Sequence, residues 1–304
     1  MLKTAIGDIV NFNYIAKREN PISLNEILPK AEAEELPSAK KALEKVLLLG
    51  IDLQNDFMEG GALGVDGSVA DMERLLNFMY NNAEYLTNFA VTIDTHQPAQ
   101  VFHPTYWIDK DGNHPDPFTI ITLDDYNSGK YRPLYFPMET MDYLKDLEAN
   151  NRQPLCIWPY HCISGTFGHA LEGQFSNMLY YLATARKSTV YTIMKGQDPK
   201  SEMYGAMRSE SSKGTFNMNF LNTLQKYDKI VIAGQAKSHC VLTTIEQILT
   251  YFANDDATRQ KIYILEDCMS NIPGSEAHSD ACYKDFRDKF HVNLVKSTDN
   301  FLGK

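Results

Sequence analysis

The chain has 304 residues, 43% of them hydrophobic and 22% charged, which is ordinary globular composition and excludes a disordered or collagen-like chain. Its 29 basic and 39 acidic residues leave a formal charge of -10, so phosphate backbones are repelled and no nucleic-acid partner is expected. No apolar run approaches the roughly 20 residues that span a bilayer, no signal peptide is read at the N-terminus, and the five cysteines are scattered without CxxC spacing. The expectation is a soluble, cytoplasmic protein with no membrane partner and no disulfide framework.

In chain order, residues 1–45 read as an N-terminal extension wrapped on the main domain. Pro21, Pro29 and Pro37 break any long helix there, which leaves one short helix near Ser38 to Lys45. A regular pattern begins with VLLLGID (Val46 to Asp52), an almost unbroken apolar run expected of a strand buried on both faces. Ser68 fits an N-cap before a helix over Val69 to Leu86, and FAVTID (Phe89 to Asp94) is the second strand. An irregular stretch follows over about 104–155 and holds one plausible helix, METMDYLKDLEA. Gly168 to Lys187 reads as a helix, Ser188 to Met194 as a strand, Lys229 to Gly234 as a strand, and SHCVLTTIEQILTYF as a helix. Lys261 to Asp267 is a strand, Ser275 to Phe290 a helix, and HVNLV closes the pattern. Strands alternating with helices predict a doubly wound, Rossmann-like, mostly parallel α/β sheet with helices on both faces, spanning 46–304 with an insertion at about 104–155.

In such sheets ligands bind beyond the carboxyl ends of the strands. Asp52 and Asp94 end two strands, Lys195 follows a third, and GQAKSHC follows a fourth. Cys240 sits near a helix start, where the helix dipole and a cation such as Lys195 favour a thiolate. Asp52 is placed to accept the thiol proton and return it to a leaving group. Taken singly, a cysteine is more often a small buried hydrophobe and a strand-end Asp a cap. Asp94, His96, His103 and His161 form a second constellation, one carboxylate with imidazoles, which is the ligand set of Zn²⁺, Fe²⁺ or Mn²⁺.

The motifs IDLQNDFMEGGAL, DTHQPAQVFH, WPYHCISGTFG, MKG and GQAKSHCV occur in this order. Together they resemble the nicotinamidase branch of the isochorismatase-like cysteine hydrolases, over roughly Val46 to Val295. The resemblance implies that fold and a catalytic triad of Asp52, Lys195 and Cys240. It implies one divalent transition metal per chain, zinc first and iron or manganese as alternatives, held by Asp94, His96 and His161 with His103 a further ligand. It places Phe57 and Trp158 on either side of a substrate ring; His239, next to the thiol, is a substrate-binding candidate that either lines the same pocket or simply fills it. A cis peptide is implied at Gln235–Ala236, and the amides of Ala236 and Cys240 form an oxyanion hole. The implied activity is hydrolysis of nicotinamide, or a similar small aromatic amide, to the acid and ammonia through a Cys240 thioester, in NAD salvage. A small-molecule amide is the expected partner, together with further copies of the chain in a homo-oligomer.

Three features depart from the family pattern: the added length, His103 one residue further from His96 than usual, and Thr95 where an aromatic is common. The nearest rival is a metal-independent amidase of the same superfamily acting on a carbamoyl or ureido substrate. A silent binding protein, and a metal hydrolase in which Cys240 is packing, are the rivals from other classes. Cys156, Cys162, Cys268 and Cys282 read as core or half-buried thiols, and His114, His169, His278 and His291 as surface residues. The 104–155 stretch is rich in aromatics and is pinned at both ends to the expected metal site. It is therefore expected to be a lid or partner surface.

Overall fold

A computed structural model describes residues 2–150 and 152–303. Met1, Asn151 and Lys304, which fall in the expected extension, insertion and domain, lie outside the described residues. The chain begins with α1 (Leu24–Glu32), β1 (Val46–Ile51), α2 (Ser68–Asn81) and β2 (Leu86–Asp94). The next elements are β3 (Trp107–Asp109), β4 (Ile120–Ile121), α3 (Leu123–Asn127), β5 (Tyr131–Pro133), α4 (Pro137–Ala149) and β6 (Leu155–Cys156). After them come α5 (Gly173–Ala185), β7 (Val190–Lys195), α6 (Met218–Leu224), β8 (Lys229–Gly234) and a π-helical turn over Lys237–Val241. The last are α7 (Leu242–Tyr251), α8 (Asp256–Arg259), β9 (Ile262–Leu265), α9 (Glu276–Phe290) and β10 (Asn293–Val295).

Six strands form one parallel sheet in the order β10-β9-β8-β1-β2-β7. Every residue of β1 and β8, the two central strands, is buried. Their side chains alternate between two cores, as the period of two in a strand demands. Val46 and Leu48 of β1 pack with Phe89 and Val91 of β2 against α1, α2 and α5. Leu47, Leu49 and Ile51 pack with Ile230 and Ile232 against α6, α7 and α9. The doubly wound sheet expected from the sequence is therefore the observed one. Strand order reverses between β1 and β8, so the binding crevice belongs outside that pair.

Several boundaries differ from the sequence expectation. The expected helix at Ser38 to Lys45 is only a 3₁₀ turn over Ala39–Lys41, and the true helix, α1, carries Pro29 inside it. A capping box between Ser23 and Glu26 starts α1, and Ile27 and Ala31 bury its inner face against α5, which outweighs one missing backbone bond. Helix α2 stops at Asn81, not Leu86, and Gly67 rather than Ser68 caps it. The Ser68 hydroxyl accepts the Glu59 N–H at 2.9 Å. The expected irregular stretch holds two helices and two short antiparallel pairs, β3 with β5 and β4 with β6. These gather a third apolar cluster around Tyr106, Trp107, Leu144 and Trp158.

The first residues of the chain are stitched to α5 by polar contacts. Gln174 Oε1 accepts the Asn11 N–H at 2.8 Å, and Glu172 Oε1 accepts the Ala16 N–H at 3.2 Å. Asn177 donates to the Ile9 carbonyl at 3.2 Å. Glu172, Gln174 and Asn177 are all buried beneath this segment.

Candidate active site

The carboxyl ends of β1, β2 and β7, and the turn after β8, bring Asp52, Asp94, Lys195 and Cys240 to one place. Asp52 leaves β1 with φ 48°, a left-handed turn fixed by its N–H bond to Thr92 Oγ1 at 2.9 Å. The same Thr92 hydroxyl donates back to Asp52 Oδ1. The other oxygen, Oδ2, lies 2.9 Å from Lys195 Nζ. That ammonium is also 3.3 Å from Asp94 Oδ1, 3.7 Å from Cys240 Sγ and 3.1 Å from the Met203 carbonyl. Asp52, Lys195 and Cys240 are all buried.

Burial opposes the charge on Lys195, but Asp52 and Asp94 overcome it and hold its pKa well above the ordinary value. Burial raises Asp52, and Lys195 only partly offsets it. Burial also pushes the Cys240 thiol well up; Lys195 opposes the shift and the two aspartates add to it. Lys195 favours the thiolate, as the sequence reading has it, but burial and the two aspartates outweigh it. Cys240 is a protonated thiol at rest, because it sits dry beside two carboxylates.

Asp94 faces two ways. Its Oδ1 serves Lys195, and its Oδ2 lies 3.0 Å from His96 Nε2 and 3.9 Å from His161 Nε2. Gln54 fixes the Asp94 backbone, accepting its N–H at 2.7 Å and donating to its carbonyl at 2.8 Å. The imidazoles are oriented by their Nδ1 atoms, each against a backbone carbonyl: His96 on Gly196 at 3.0 Å, His103 on Gln97 at 3.0 Å and His161 on Pro159 at 2.8 Å. Nδ1–H donates in each pair, which leaves Nε2 of His103 and His161 with a lone pair. Burial opposes charge on His96, but Asp94 beside its Nε2 overcomes this and raises its pKa. The Nε2 atoms of His96 and His103 are buried with no hydrogen-bond partner.

Burial and His96 push His161 down to about 3 and His103 to about 4, so both are neutral. Burial opposes charge on Asp94, but His96 and Lys195 hold its pKa far below the carboxylate range. Neutral imidazole lone pairs converging on a carboxylate fit a divalent cation. The ligand atoms of Asp94, His96 and His161 lie within 4.8 Å of one another. His103 is outside that set, its ring centroid 5.9 Å from His96 and 6.0 Å from His161. Asp52, Asp94 and Cys240 are equally close together, but the Lys195 ammonium already supplies the cation there.

Gly196 is required by this packing. It has φ +73°, and a Cβ would stand 2.5 Å from both Asp94 Oδ1 and His96 Cε1.

Phe57, Trp158, His161, His239, Ala236 and Cys240 line one small pocket. The Gln235–Ala236 peptide is cis, as the family resemblance implies. Gln235 Nε2 donates to Asp71 at 2.8 Å, anchoring the segment to α2. Burial lowers His239 to about 4. His169, expected on the surface, is half-buried and meets Thr95 Oγ1 at 3.0 Å.

Glu202 and Tyr204 are among the wall residues that escaped the sequence reading. Both lie in the loop after β7, where no periodicity marks a buried side. Burial pushes Glu202 up to about 7. No helix among the described residues is long and apolar enough to cross a membrane.

No family model matches the chain. In sequence it resembles the nicotinamidase of Escherichia coli strain K12, 23% identical over 201 residues that make up 65% of this chain and 73% of that protein. In fold it resembles an Acinetobacter baumanii nicotinamidase and pyrazinamidase, at TM-score 0.57 and 19% identity, over 85% of this chain and 99% of that one. It also resembles the yeast nicotinamidase bound to the inhibitor nicotinaldehyde, at TM-score 0.58 and 18% identity, over 83% and 99% of the two chains.

Proposed function

We propose that the chain is a metal-dependent cysteine amidohydrolase that cleaves nicotinamide, or a similar small flat amide, to the acid and ammonia. One observation carries this reading: a buried thiol, ammonium and carboxylate meet at the floor of a small pocket walled by aromatic rings. Nicotinamidase relatives in sequence and fold support the same substrate class.

Asp52, its pKa raised by burial, takes the Cys240 proton as Sγ attacks the amide carbonyl. Lys195 stays charged beside them and balances the carboxylate as protons move. The amides of Ala236 and Cys240 receive the oxyanion, a contribution of about 3 kcal/mol for each donor. The carbon–nitrogen bond then breaks as Asp52 returns the proton to the leaving nitrogen, which departs as ammonia. Water attacks the thioester with Asp52 again as base, and the thiol is restored. Phe57 and Trp158 flank the substrate ring, and His239 closes the side of the pocket.

Asp94, His96 and His161 would hold the metal, zinc by the chemistry of this donor set, with His103 completing it. A bound cation there supplies a Lewis-acidic point that orients a pyridine nitrogen. The same reading takes 1–45 as an extension, 104–155 as a lid inserted in one hydrolase domain, and the working protein as a homo-oligomer.

The test is an ammonia-release screen of nicotinamide, pyrazinamide and ureido compounds with protein of known metal content. Turnover of the aromatic amides, and its loss on chelation, are the expected results. Ureido turnover by metal-free protein would overturn the reading in favour of a metal-independent amidase.

A further inference from the structure

Glu202 is a buried carboxylate, 6% exposed, that neither the triad nor the metal cluster uses. Both of its oxygens are taken by N–H donors. Oε2 accepts the indole N–H of Trp158 at 3.1 Å, and Oε1 accepts the backbone N–H of Met203 at 2.9 Å. The carbonyl of the same Met203 accepts from Lys195 Nζ at 3.1 Å. Glu202 is itself held on two sides. Its N–H donates to the Tyr143 hydroxyl of α4 at 3.1 Å, and its carbonyl accepts the Glu210 N–H at 2.9 Å. Of the other aromatic neighbours of the Trp158 ring, Phe118 and His239 meet it in edge contacts at 6.0 and 6.1 Å, and Tyr204, at 6.3 Å, also has its hydroxyl in reach of the indole N–H. Edge contacts tolerate rotation of the ring, whereas a hydrogen bond from the indole N–H to Glu202 fixes its direction.

We propose that Glu202 is a positioning residue for amide hydrolysis. One oxygen sets the plane of the Trp158 ring against the substrate, and the other sets, through Met203, the seat of the Lys195 ammonium. The inference rests on the reading of Trp158 as a wall of the substrate pocket. It explains why the position holds a carboxylate: two donors converge on it, and only a group with an acceptor at each end satisfies both. Glutamine has the same shape but turns an NH₂ toward one donor. Because its oxygen can keep the Met203 contact, Glu202→Gln releases Trp158 alone, whereas Glu202→Ala releases both arms.

The experiment measures nicotinamide hydrolysis by wild type, Glu202→Gln, Glu202→Ala, Trp158→Phe and Glu202→Gln/Trp158→Phe. Loss of the hydrogen bond to Trp158 predicts a KM about tenfold higher in Glu202→Gln, with kcat within about threefold of wild type. Trp158→Phe shows the same rise, and the double variant is no worse than either single one. Glu202→Ala, checked for folding by thermal melting, loses kcat as well.

A second measurement needs no substrate. The protein has two tryptophans, so its nitrogen-15 spectrum holds two indole signals. In Glu202→Gln the Trp158 signal, identified by its absence from Trp158→Phe, moves upfield while that of Trp107 stays. An unmoved Trp158 signal, an unchanged KM in Glu202→Gln, or KM effects that multiply in the double variant each overturn the proposal. Should wild type leave nicotinamide intact, the substrate reading fails, and the indole signal alone decides whether Glu202 holds Trp158.

Discussion

The triad cluster and the histidine cluster lie side by side under the same sheet edge and share Asp94, yet they solve opposite electrostatic problems. Around Asp52, Asp94 and Cys240 the positive charge is built in. Lys195 stands within 3.7 Å of all three, and its ammonium offsets one of the two carboxylate charges. Around Asp94, His96 and His161 the fold collects imidazoles about a carboxylate: Asp94 raises the pKa of His96, and His161 stays neutral with a free lone pair. A cluster that carries its own counter-charge can shuttle a proton. A cluster of unsatisfied acceptors is a receptor for a metal.

The sharpest way to separate them is Cys240→Ala. It should lower amide hydrolysis by at least about a thousandfold, since members of a triad act as a unit. Metal content by elemental analysis should stay that of wild type, because the thiol belongs to only one cluster. Near-normal ammonia release would dissolve the distinction.

Asp94→Asn should break both clusters at once. We expect turnover down by more than about a hundredfold and metal content down with it. His161→Ala should reduce metal content while leaving a resting thiol of normal reactivity toward iodoacetamide. If Asp94→Asn keeps its metal, the shared-carboxylate picture is wrong.

Gly196→Ala tests the seam between them. A side chain at φ +73° that crowds Asp94 and His96 should cost about 1–3 kcal/mol of stability, read from urea midpoints, and weaken metal binding. Equal stability and equal metal affinity would show that the seam tolerates a Cβ.

The smallest effect concerns pH. His239 is neutral in the fold, with its pKa lowered from 6.5 to about 4, so the unfolded chain binds the extra proton between those values. Stability is therefore intact above pH 6.5 and falls as the pH drops toward 4, by about 1–2 kcal/mol after solvent screening. His239→Asn should flatten that part of the urea midpoint curve; an unchanged slope would assign the acid sensitivity elsewhere.

How far the sequence reveals this depends on what each residue packs against. VLLLGID and KIVIAG are legible as central strands because both of their faces are buried. Asp52, Asp94 and Lys195 are legible because strand ends are where such sheets bind ligands. Helix α1 is hidden by Pro29, since local propensity says nothing of Ile27 and Ala31 packing on α5. Strands of two or three residues, such as β4 and β5, are too short to show alternation. Glu202 is invisible for another reason. A lone Glu in KSEMY looks solvated, and only the loop's path past Trp158 buries it.

The seam between the N-terminal residues and α5 bears on how the chain comes to be folded. Asn11 bonds Gln174 across 163 residues of sequence, and Ala16 bonds Glu172 across 156. These bonds cannot close until α5 has been made, although Lys3 and Thr4 find Glu34 and Tyr80 nearer in the sequence. Until then Ile9, Val10 and Ile15, buried in the finished fold, are exposed to water and to neighbouring chains. A nascent chain stalled before α5 is therefore expected to be more prone to aggregation than one stalled after it.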